Sequence, residues 1–197
     1  MMKNYAIILA AGKGTRFGQS DVNKTAVLVN GKSLIRIGIE KIIKKFSTVI
    51  VVVGNKKESV IKSLQDLPVI FVEQEQQNGT GHAVQIAVNE INKSIAKPAS
   101  VFVANGDHLF MIEDDVIDRL MEAHQKNAND ATVLTTYHDS PQDLTNGRII
   151  KRDGRFYKII EKKDDAIIVD IDYKSNGAVP AYEFNAVEFQ DLKVGAS

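Results

Sequence analysis

Short, largely apolar runs recur along the first two thirds of the chain. The first covers residues 5–10 (YAIILA), and four more follow at residues 49–53, 69–72, 100–104 and 131–136. Runs of this length, without regular polar positions, are typical of strands that are buried on both faces of a parallel sheet. The pattern therefore predicts five strands of a mainly parallel sheet.

Helical periodicity fills the intervals between these runs. Ser33 is a suitable N-cap for a helix that extends to about Phe46, and further helices are predicted over about 56–66, from Thr80, and over about 113–126. The first helix has one apolar stripe, formed by Ile35, Ile39, Ile42 and Phe46. The third has another, formed by Val84, Ala87, Val88 and Ile91. Strands that alternate with helices in this way predict an α/β fold with helices on both faces of the sheet.

A different pattern begins after residue 138. Asp153-Gly154 separates two alternating segments, RIIKR and RFYKIIEK, and this arrangement is a strong signal for a β-hairpin. Residues 166–172 and 177–184 are also predicted to be extended. We interpret these segments as an antiparallel C-terminal extension, so that residues 1–197 form a single domain.

Composition narrows the class of protein. Apolar residues make up 44% of the 197 residues and charged residues 25%, as in soluble globular proteins. Basic and acidic residues both number 25, and the zero net charge argues against bulk electrostatic binding to nucleic acid or acidic lipid. The absence of cysteine excludes disulfides and thiolate zinc sites, and no apolar run approaches the ~20 residues of a membrane span. We therefore expect a cytoplasmic protein.

The most informative segment is a glycine-rich loop directly after the first predicted strand, where open α/β sheets bind their ligands. Small residues let backbone N–H groups approach an anion, and the cations Lys13, Arg16 and Lys24 accompany them. The loop therefore predicts a triphosphate site, with a solvated strand-to-helix connection as the structural alternative. The candidate nucleotide-binding residues of this loop are Leu9, Ala10, Ala11, Gly12, Lys13, Gly14 and Thr15.

Two common phosphate-binding motifs do not fit the chain. The dinucleotide fingerprint requires a third glycine one residue before Gly18. The P-loop requires a glycine where Ala26 precedes Gly31-Lys32-Ser33. We therefore predict that Asn30-Gly31 is a turn before the first helix.

Two further segments contain candidate ligand residues. Gln74 follows the third predicted strand, and its amide has a donor and an acceptor for the edge of a base. Gly79 and Thr80 open the next helix with exposed N–H groups, although a simple helix cap at Thr80 is the structural alternative. Asn105-Gly106-Asp107 ends the strand 100–104, on the same edge as the glycine-rich loop. A carboxylate beside a triphosphate is suited to Mg²⁺, whereas an isolated Asp at a strand end is usually a turn former.

These motifs together resemble those of the sugar-1-phosphate nucleotidyltransferases. The matching residues are LAAGKGTRF from Leu9, Lys24, Gln74 with the Gly79–Ala83 segment, and Gly106-Asp107. Within the family they are most similar to the uridylyltransferase domain of N-acetylglucosamine-1-phosphate uridylyltransferase. The resemblance implies a Rossmann-like fold of the nucleotide-diphospho-sugar transferase type, with a mixed, mainly parallel sheet.

The resemblance also implies roles for individual residues. Arg16 would steady the leaving pyrophosphate, Lys24 would act with it as a catalytic cation, and Asp107 would hold the cofactor Mg²⁺. Gln74, Gly79 and Thr80 would recognise uracil, with Asn105 also among the nucleotide-binding residues. Segments that resemble the sugar-binding motifs of the family imply three sugar contacts: Gly147, Glu161 and Asn176. Without the resemblance, Glu161 would be a solvated hairpin charge and Asn176 part of a turn.

The chain departs from the family pattern at three points. Asn23 replaces the proline before the family lysine, and His108-Leu109 is more similar to the adenylyl-type sugar pyrophosphorylases, which leaves the base open. The resemblance ends at about Phe184, whereas members of the family continue and supply a second Asp or Asn to the metal. Asp170 and Asp172 are the alternatives here, and we expect the chain to be either a fragment or a compact variant.

The sequence favours a pyrophosphorylase that transfers UMP from UTP to a sugar 1-phosphate such as N-acetylglucosamine 1-phosphate. Its partners would then be a nucleoside triphosphate and a sugar 1-phosphate. Transfer with another base or to another acceptor, such as phosphocholine or a pterin phosphate, is the first alternative. A module that binds nucleotide sugars without turnover is the second.

Overall fold

The computed structural model of the chain describes residues 4–14, 21–93, 100–126, 129–135, 147–152, 155–160 and 187–189. Contacts divide the chain into two compact units, Met1–Ile117 and Asp118–Ser197. The single domain that the sequence analysis expects stays a prediction.

The secondary structure follows the apolar pattern closely. The strands are β1 (Asn4–Ala10), β2 (Leu28–Val29), β3 (Lys32–Ser33), β4 (Thr48–Val53), β5 (Ile70–Glu73), β6 (Ser100–Asn105), β7 (Ala131–Val133), β8 (Arg148–Arg152), β9 (Arg155–Ile160) and β10 (Val187–Phe189). The α-helices are α1 (Leu34–Ile42), α2 (Lys57–Leu64), α3 (Thr80–Asn92) and α4 (Asp114–Lys126). The four helices, the hairpin and four strands of the predicted parallel sheet are therefore confirmed. The fifth predicted strand is present as β7, but it pairs antiparallel with β10 and is half-buried, so its assignment to the parallel sheet was wrong. The predicted extended segments at 166–172 and 177–184 lie outside the described residues.

Four parallel strands form the sheet of the first unit, in the order β5-β4-β1-β6. Leu9 of β1 lies opposite Val52 of β4 and Asn105 of β6. The chain adds β4 and β5 on one side of β1 and then returns to add β6 on the other side. In open α/β sheets, such a reversal of strand order leaves a crevice outside the carboxyl ends of the two strands concerned, which are β1 and β6 here.

Both faces of the central strands are buried, as continuous apolar runs predict. On one face, α3 packs through Ala83, Ala87 and Ile91 against alternate residues of β1 and β4, with Val84 and Val88 at the margin. On the opposite face, the intervening residues Ala6, Ile8, Val49 and Val51 are at most 1% exposed. Helices α1 and α2 supply fully buried side chains: Ile35, Ile39, Ile42, Val60 and Leu64. Each such aliphatic side chain contributes about 1.5–3 kcal/mol when it leaves water.

The start of α1 follows the prediction. Asn30 and Gly31 form the turn between β2 and β3, with φ values of 50° and 81° that suit a two-residue hairpin. Ser33 then caps the helix, because its hydroxyl accepts a hydrogen bond from the Arg36 N–H at 3.3 Å.

The end of α1 is one turn earlier than the predicted Phe46. The helix ends at Ile42 because the chain turns back to the sheet, where the Ser47 N–H donates to the Asn4 carbonyl at 3.0 Å. Phe46 is nevertheless buried, since its ring stacks on Phe102 of β6 with 5.3 Å between the ring centroids.

A bidentate ion pair joins α1 to the residues after α2. The Arg36 guanidinium donates to both carboxylate oxygens of Asp66 at 2.7 Å and to the Ser63 carbonyl at 3.0 Å. These hydrogen bonds lower the pKa of Asp66 to about 2 and raise the pKa of Arg36. The Asp66 side chain is 59% exposed, so water screens the pair and its contribution to stability is small.

Helix α1 also supports the segment that follows β6. The Lys41 ammonium donates to the carbonyls of Phe110 and Ile112 at 2.8 and 3.0 Å. Gly38 approaches the buried Leu109 so closely that a Cβ on Gly38 would lie 2.8 Å from Leu109 Cγ. Residues 109–112 of the loop after β6 are therefore held against α1.

In the second unit, β8 and β9 form the antiparallel hairpin that Asp153-Gly154 predicts, although that dipeptide lies outside the described residues. β7 pairs with β10 in an antiparallel arrangement. Ile149 of β8 is buried, with Ala131 and Val133 of β7 packed against it. None of the helices described in either unit has the length and apolar composition needed to span a bilayer.

We expect Gly38→Ala to destabilise the protein. Alanine gains about 1 kcal/mol of helix propensity over glycine, but its Cβ would overlap Leu109, and overpacking typically costs about 1–3 kcal/mol. A net loss of up to about 2 kcal/mol should be measurable by urea denaturation. Gly81→Ala is the matched control, since the same methyl in α3 would meet no heavy atom within 4 Å. Equal stability of the two variants would contradict the packing argument.

Candidate functional site

The two loops that the sequence assigns to phosphate and metal lie side by side. They follow β1 and β6, and the Gly106 N–H donates to the Leu9 carbonyl at 2.9 Å. A Cβ on Gly106 would lie 3.2 Å from that same carbonyl and from Ile35 Cδ1, so the close approach of the loops favours glycine. The glycine-rich loop and Asp107 therefore share the crevice at which the strand order reverses.

Lys24 connects these two loops. It begins a short 3-10 helix, Lys24–Ala26, and its ammonium lies 2.6 Å from Asp107 Oδ2. Its aliphatic stem runs along the glycine-rich loop, because Lys24 Cβ, Cγ and Cδ would lie 3.6–3.7 Å from a Cβ on Gly14. The side chains of Lys24 and Asp107 are 34% and 23% exposed, so both charges can be reached from solvent.

The described part of the glycine-rich loop is open to solvent. Gly12 and Lys13 are exposed, and Gly14 has a φ of +62°, a left-handed conformation that glycine adopts without strain. Leu9 and Ala10 end β1, and the buried Ala11 follows them. Thr15 and Arg16 lie outside the described residues, and all the phosphate contacts stay predictions.

Gln74 braces the second glycine segment. Its side chain is buried, and its Nε2 donates to the Gly79 carbonyl at 3.0 Å and lies 3.1 Å from His82 Nδ1. Gly79, with a φ of +93°, is itself the cap residue, and Thr80 is the exposed first residue of α3. Thr80 is therefore not the helix cap that the sequence allowed as an alternative. The Nε2 of Gln74 is thus engaged within the protein. A contact between Gln74 and a base stays a prediction.

Gly54 joins the Gln74 segment to the glycine-rich loop. It follows β4, and a Cβ there would lie 3.0 Å from the Gln74 carbonyl and 3.1 Å from the Ala11 carbonyl. The Gln74 N–H donates to the Val53 carbonyl at 2.8 Å, and the Asn55 N–H donates to the Ala11 carbonyl at 3.2 Å. The carboxyl ends of β5, β4, β1 and β6 thus form one continuous edge from Gln74 to Asp107.

Asp107 is the candidate metal ligand at this edge. In the parts of the chain given above, no three His, Asp or Glu side chains cluster as metal ligands. One carboxylate nevertheless fits Mg²⁺, which proteins often hold through one or two carboxylates while water and substrate phosphates complete its shell. The predicted alternatives for a second ligand, Asp170 and Asp172, lie outside the described residues.

Asn105 and the residues after Asp107 shape this loop. Asn105 is exposed at the end of β6, and its carbonyl accepts the His108 N–H at 3.1 Å in the turn that presents Asp107. Leu109 is fully buried against Gly38. Packing therefore accounts for the leucine of the His-Leu dipeptide, which weakens its use as an indicator of the base.

The predicted sugar contacts belong to the second unit of the chain. Gly147 lies directly before β8 in the second unit and is half-buried. Glu161 and Asn176 lie outside the described residues. All three sugar contacts stay predictions.

Asn23 is a buried residue that the sequence analysis noted only as a substitution. It is 2% exposed, and its Oδ1 caps the short helix of Lys24 by accepting the Thr25 N–H at 3.0 Å. Asn is a common capping residue, because its side-chain oxygen can accept a hydrogen bond from the backbone N–H two residues later. That local pattern was a signal from which Asn23 could have been selected.

Comparison with known proteins identifies the family to which the chain is similar. A family model described as the MobA-like NTP transferase domain matches residues 6–153. The bifunctional protein GlmU of Acholeplasma laidlawii is 36% identical over 164 residues, or 83% of this chain, and that of Caldicellulosiruptor saccharolyticus is 39% identical over 165 residues, or 82%. These matches confirm the resemblance inferred from the motifs. They cover 34% of either relative, so the chain spans about a third of the length of these curated relatives.

A solved structure shows the same fold. UDP-glucose pyrophosphorylase, in complex with UDP-glucose, superposes with a TM-score of 0.62 over 82% of this chain and 69% of that chain. The two sequences are 20% identical, so this likeness supports the fold and not the substrate. It agrees with the predicted α/β class and the nucleotide-diphospho-sugar transferase type.

We expect Gln74→Leu to loosen the start of α3. Leucine keeps most of the volume but removes the donor to the Gly79 carbonyl. That carbonyl still accepts the Ala83 N–H at 3.3 Å, so the free energy of unfolding should fall by only about 1 kcal/mol. Amide hydrogen exchange of residues 80–83 should become faster.

Gln85→Leu is the control for this substitution, because Gln85 donates to Asn89 on the exposed face of the same helix. It should leave exchange at residues 80–83 unchanged. Equal exchange rates in the unmodified protein and in Gln74→Leu would show that Gln74 does not brace this segment.

Proposed function

The chain belongs to the MobA-like NTP transferase domain family, and on this premise we propose that it is a sugar-1-phosphate nucleotidyltransferase. The reaction that we propose transfers UMP from UTP to a sugar 1-phosphate such as N-acetylglucosamine 1-phosphate and releases pyrophosphate. The match between its motifs and those of the uridylyltransferases supports this choice of substrates, as does its similarity to GlmU proteins.

The observation that carries the proposal is the 2.6 Å contact between Lys24 and Asp107. A partly exposed ion pair of this kind contributes only about 0–1 kcal/mol to stability. Its place in the crevice between β1 and β6, beside a glycine-rich loop, is where an α/β sheet binds ligands. A polyphosphate has the oxygen-rich anionic groups that a lysine, backbone N–H groups and a carboxylate-bound cation can hold together.

The proposed chemistry is an in-line displacement at phosphorus. A phosphate oxygen of the sugar 1-phosphate attacks the α-phosphorus of the nucleotide, and the bond from that phosphorus to the bridging β-phosphate oxygen breaks. The electron pair of that bond leaves with pyrophosphate. The attacking group is already an anion, so the reaction requires neither a general base nor a covalent intermediate on the protein.

Catalysis in this scheme consists of alignment and neutralisation of charge. Lys13, Arg16 and Lys24 reduce the repulsion between two phosphorylated reactants, and backbone N–H groups of the loop bind phosphate oxygens. Asp107 is the residue that we propose to hold Mg²⁺. The ion would supply additional positive charge to the phosphate oxygens.

The remaining assignments concern specificity. Gln74, Gly79, Thr80 and Asn105 are proposed to bind the nucleoside, and the three sugar candidates to bind the second substrate. The hydrogen bonds of Gln74 support the nucleoside assignment indirectly, because they set the position of the Gly79 carbonyl and of the exposed start of α3. A sequence free of cysteine suits a cytoplasmic enzyme.

The direct test is a matrix of substrates. Pyrophosphate release should be measured with UTP, CTP, GTP, ATP and dTTP, each combined with N-acetylglucosamine 1-phosphate, glucose 1-phosphate and phosphocholine in the presence of Mg²⁺. We expect the highest rate for UTP with an amino-sugar or hexose 1-phosphate, and loss of that rate with EDTA. A higher rate for another pair would replace the proposed substrates, and nucleotide binding without release in every pair would identify a non-catalytic module.

We expect Arg16→Ala to lower turnover by roughly 10²–10³-fold, the usual effect of removing one electrostatic donor from a transition state. The measurement is kcat for the best substrate pair. Lys62→Ala, which removes an equal charge from the exposed face of α2, is the control and should retain full activity. Unchanged kcat in the Arg16→Ala protein would exclude the proposed role.

A further inference from the structure

Asn23 holds three separate parts of the first unit together. Its side-chain Nδ2 donates to the Ala10 carbonyl at the end of β1, at 3.0 Å, and to the Asn55 carbonyl after β4, at 2.8 Å, and it lies 3.5 Å from the Gly12 carbonyl of the glycine-rich loop. Its backbone N–H donates to the Ser59 hydroxyl of α2 at 2.9 Å. That hydroxyl in turn donates to the Lys56 carbonyl at 2.7 Å, which fixes its orientation.

The side chain of Asn23 has no unused hydrogen-bonding capacity. The two Nδ2 hydrogens are accounted for by Ala10 and Asn55, and Oδ1 accepts both the N–H and the hydroxyl of Thr25, at 3.0 and 2.9 Å. Asn23 and Thr25 are 2% and 0% exposed. A buried polar group that is fully satisfied is held in one orientation, because any other orientation would leave donors or acceptors without partners.

Lys24 lies between these two buried residues. Its three-residue 3-10 helix is too short to be stable alone, and Asn23 begins it by accepting the Ala26 N–H at its carbonyl, at 2.8 Å. The backbone of Lys24 is therefore fixed by the Asn23 bonds. Its long side chain then needs only to follow the glycine-rich loop to bring its ammonium to Asp107.

We propose that Asn23 is a positioning residue for Lys24, and that it acts on polyphosphate binding chiefly through that lysine. This inference rests on the proposed function because it requires that the crevice between β1 and β6 binds a polyphosphate. Asn23 itself is buried and would contact no substrate. Because its partners belong to β1, the glycine-rich loop, the loop after β4 and α2, Asn23 fixes the position of Lys24 relative to the carboxyl edge of the sheet.

The test is a double-substitution cycle on ligand binding, which does not depend on turnover. The affinity of inorganic tripolyphosphate with Mg²⁺ would be measured by isothermal titration calorimetry for Asn23→Ala, Lys24→Met and the double variant. We expect Lys24→Met to weaken binding by about 10–100-fold, the range for one charge-assisted hydrogen bond, and Asn23→Ala by about tenfold. The double variant should be within about twofold of Lys24→Met alone.

Two further variants keep the test decisive. Ser59→Ala removes the acceptor of the Asn23 N–H and the local bond to the Lys56 carbonyl but leaves the bonds of the Asn23 side chain. It therefore remains usable if Asn23→Ala does not fold, and its weaker effect should also vanish in the Lys24→Met background. Ile91→Val, a conservative change in the α3 core, should reduce thermal stability without changing affinity. Loss of affinity in Ile91→Val would overturn the inference, since general destabilisation would then explain the result.

The remaining outcomes separate the inference from the proposed function. Losses that multiply in the double variant would show that Asn23 acts independently of Lys24 and would overturn the inference alone. Tripolyphosphate binding with the expected cycle but without pyrophosphate release from any substrate pair would support the inference and remove the proposed transfer. Absence of tripolyphosphate binding by the unmodified protein would overturn both.

Discussion

The parallel pairing of β1 with β6 is the constraint on which the candidate site depends. Parallel neighbours end at the same edge of a sheet, and Leu9 lies directly opposite Asn105. The loops that follow the two strands therefore start at the same level, close enough for the Gly106 N–H to bind the Leu9 carbonyl. Any other position for β6 in the strand order would separate Asp107 from the glycine-rich loop and from Lys24.

The energetics of the site differ from those of the core. The buried faces of β1 and β4 supply the main stabilisation, through side chains that are almost completely removed from water. The Lys24–Asp107 pair remains partly exposed and is worth little to the fold. Under the proposed function, the Lys24 ammonium would meet an anionic ligand and the Asp107 carboxylate would hold a cation, both in a position that the core determines.

The core determines the position of Lys24 and Asp107 because backbone segments at the sheet edge approach one another closely. Gly54 and Gly106 lie where a side chain would meet the carbonyls of neighbouring loops, and Gly38 allows Leu109 to seat the loop after β6 against α1. Asn23 and Gln74 then hold the ends of strands and helices by hydrogen bonds. The loops of the site are thus held in place by contacts with buried side chains, namely Asn23, Gln74 and Leu109.

The sequence by itself determined the elements of the first unit and the edge at which its candidate ligand residues lie. Apolar runs and helical stripes depend on local periodicity, and strands that alternate with helices place the residues after each strand at one edge. The glycine-rich loop, Gln74 and Asp107 could therefore be assigned to a common edge. The sequence determined the ends of helices less well, because the partner that ends a helix can be distant in sequence. Helix α1, for example, ends one turn before the predicted residue.

Only the tertiary structure decided which strands are neighbours and which polar groups meet. The order β5-β4-β1-β6 does not follow from periodicity, since every buried parallel strand has the same apolar pattern. The Lys24–Asp107 contact and the bonds of Asn23 to Ala10, Asn55 and Ser59 join residues from separate elements. Such contacts arise from long-range packing, in which the position of each group is set by the whole sheet and not by its neighbours along the chain.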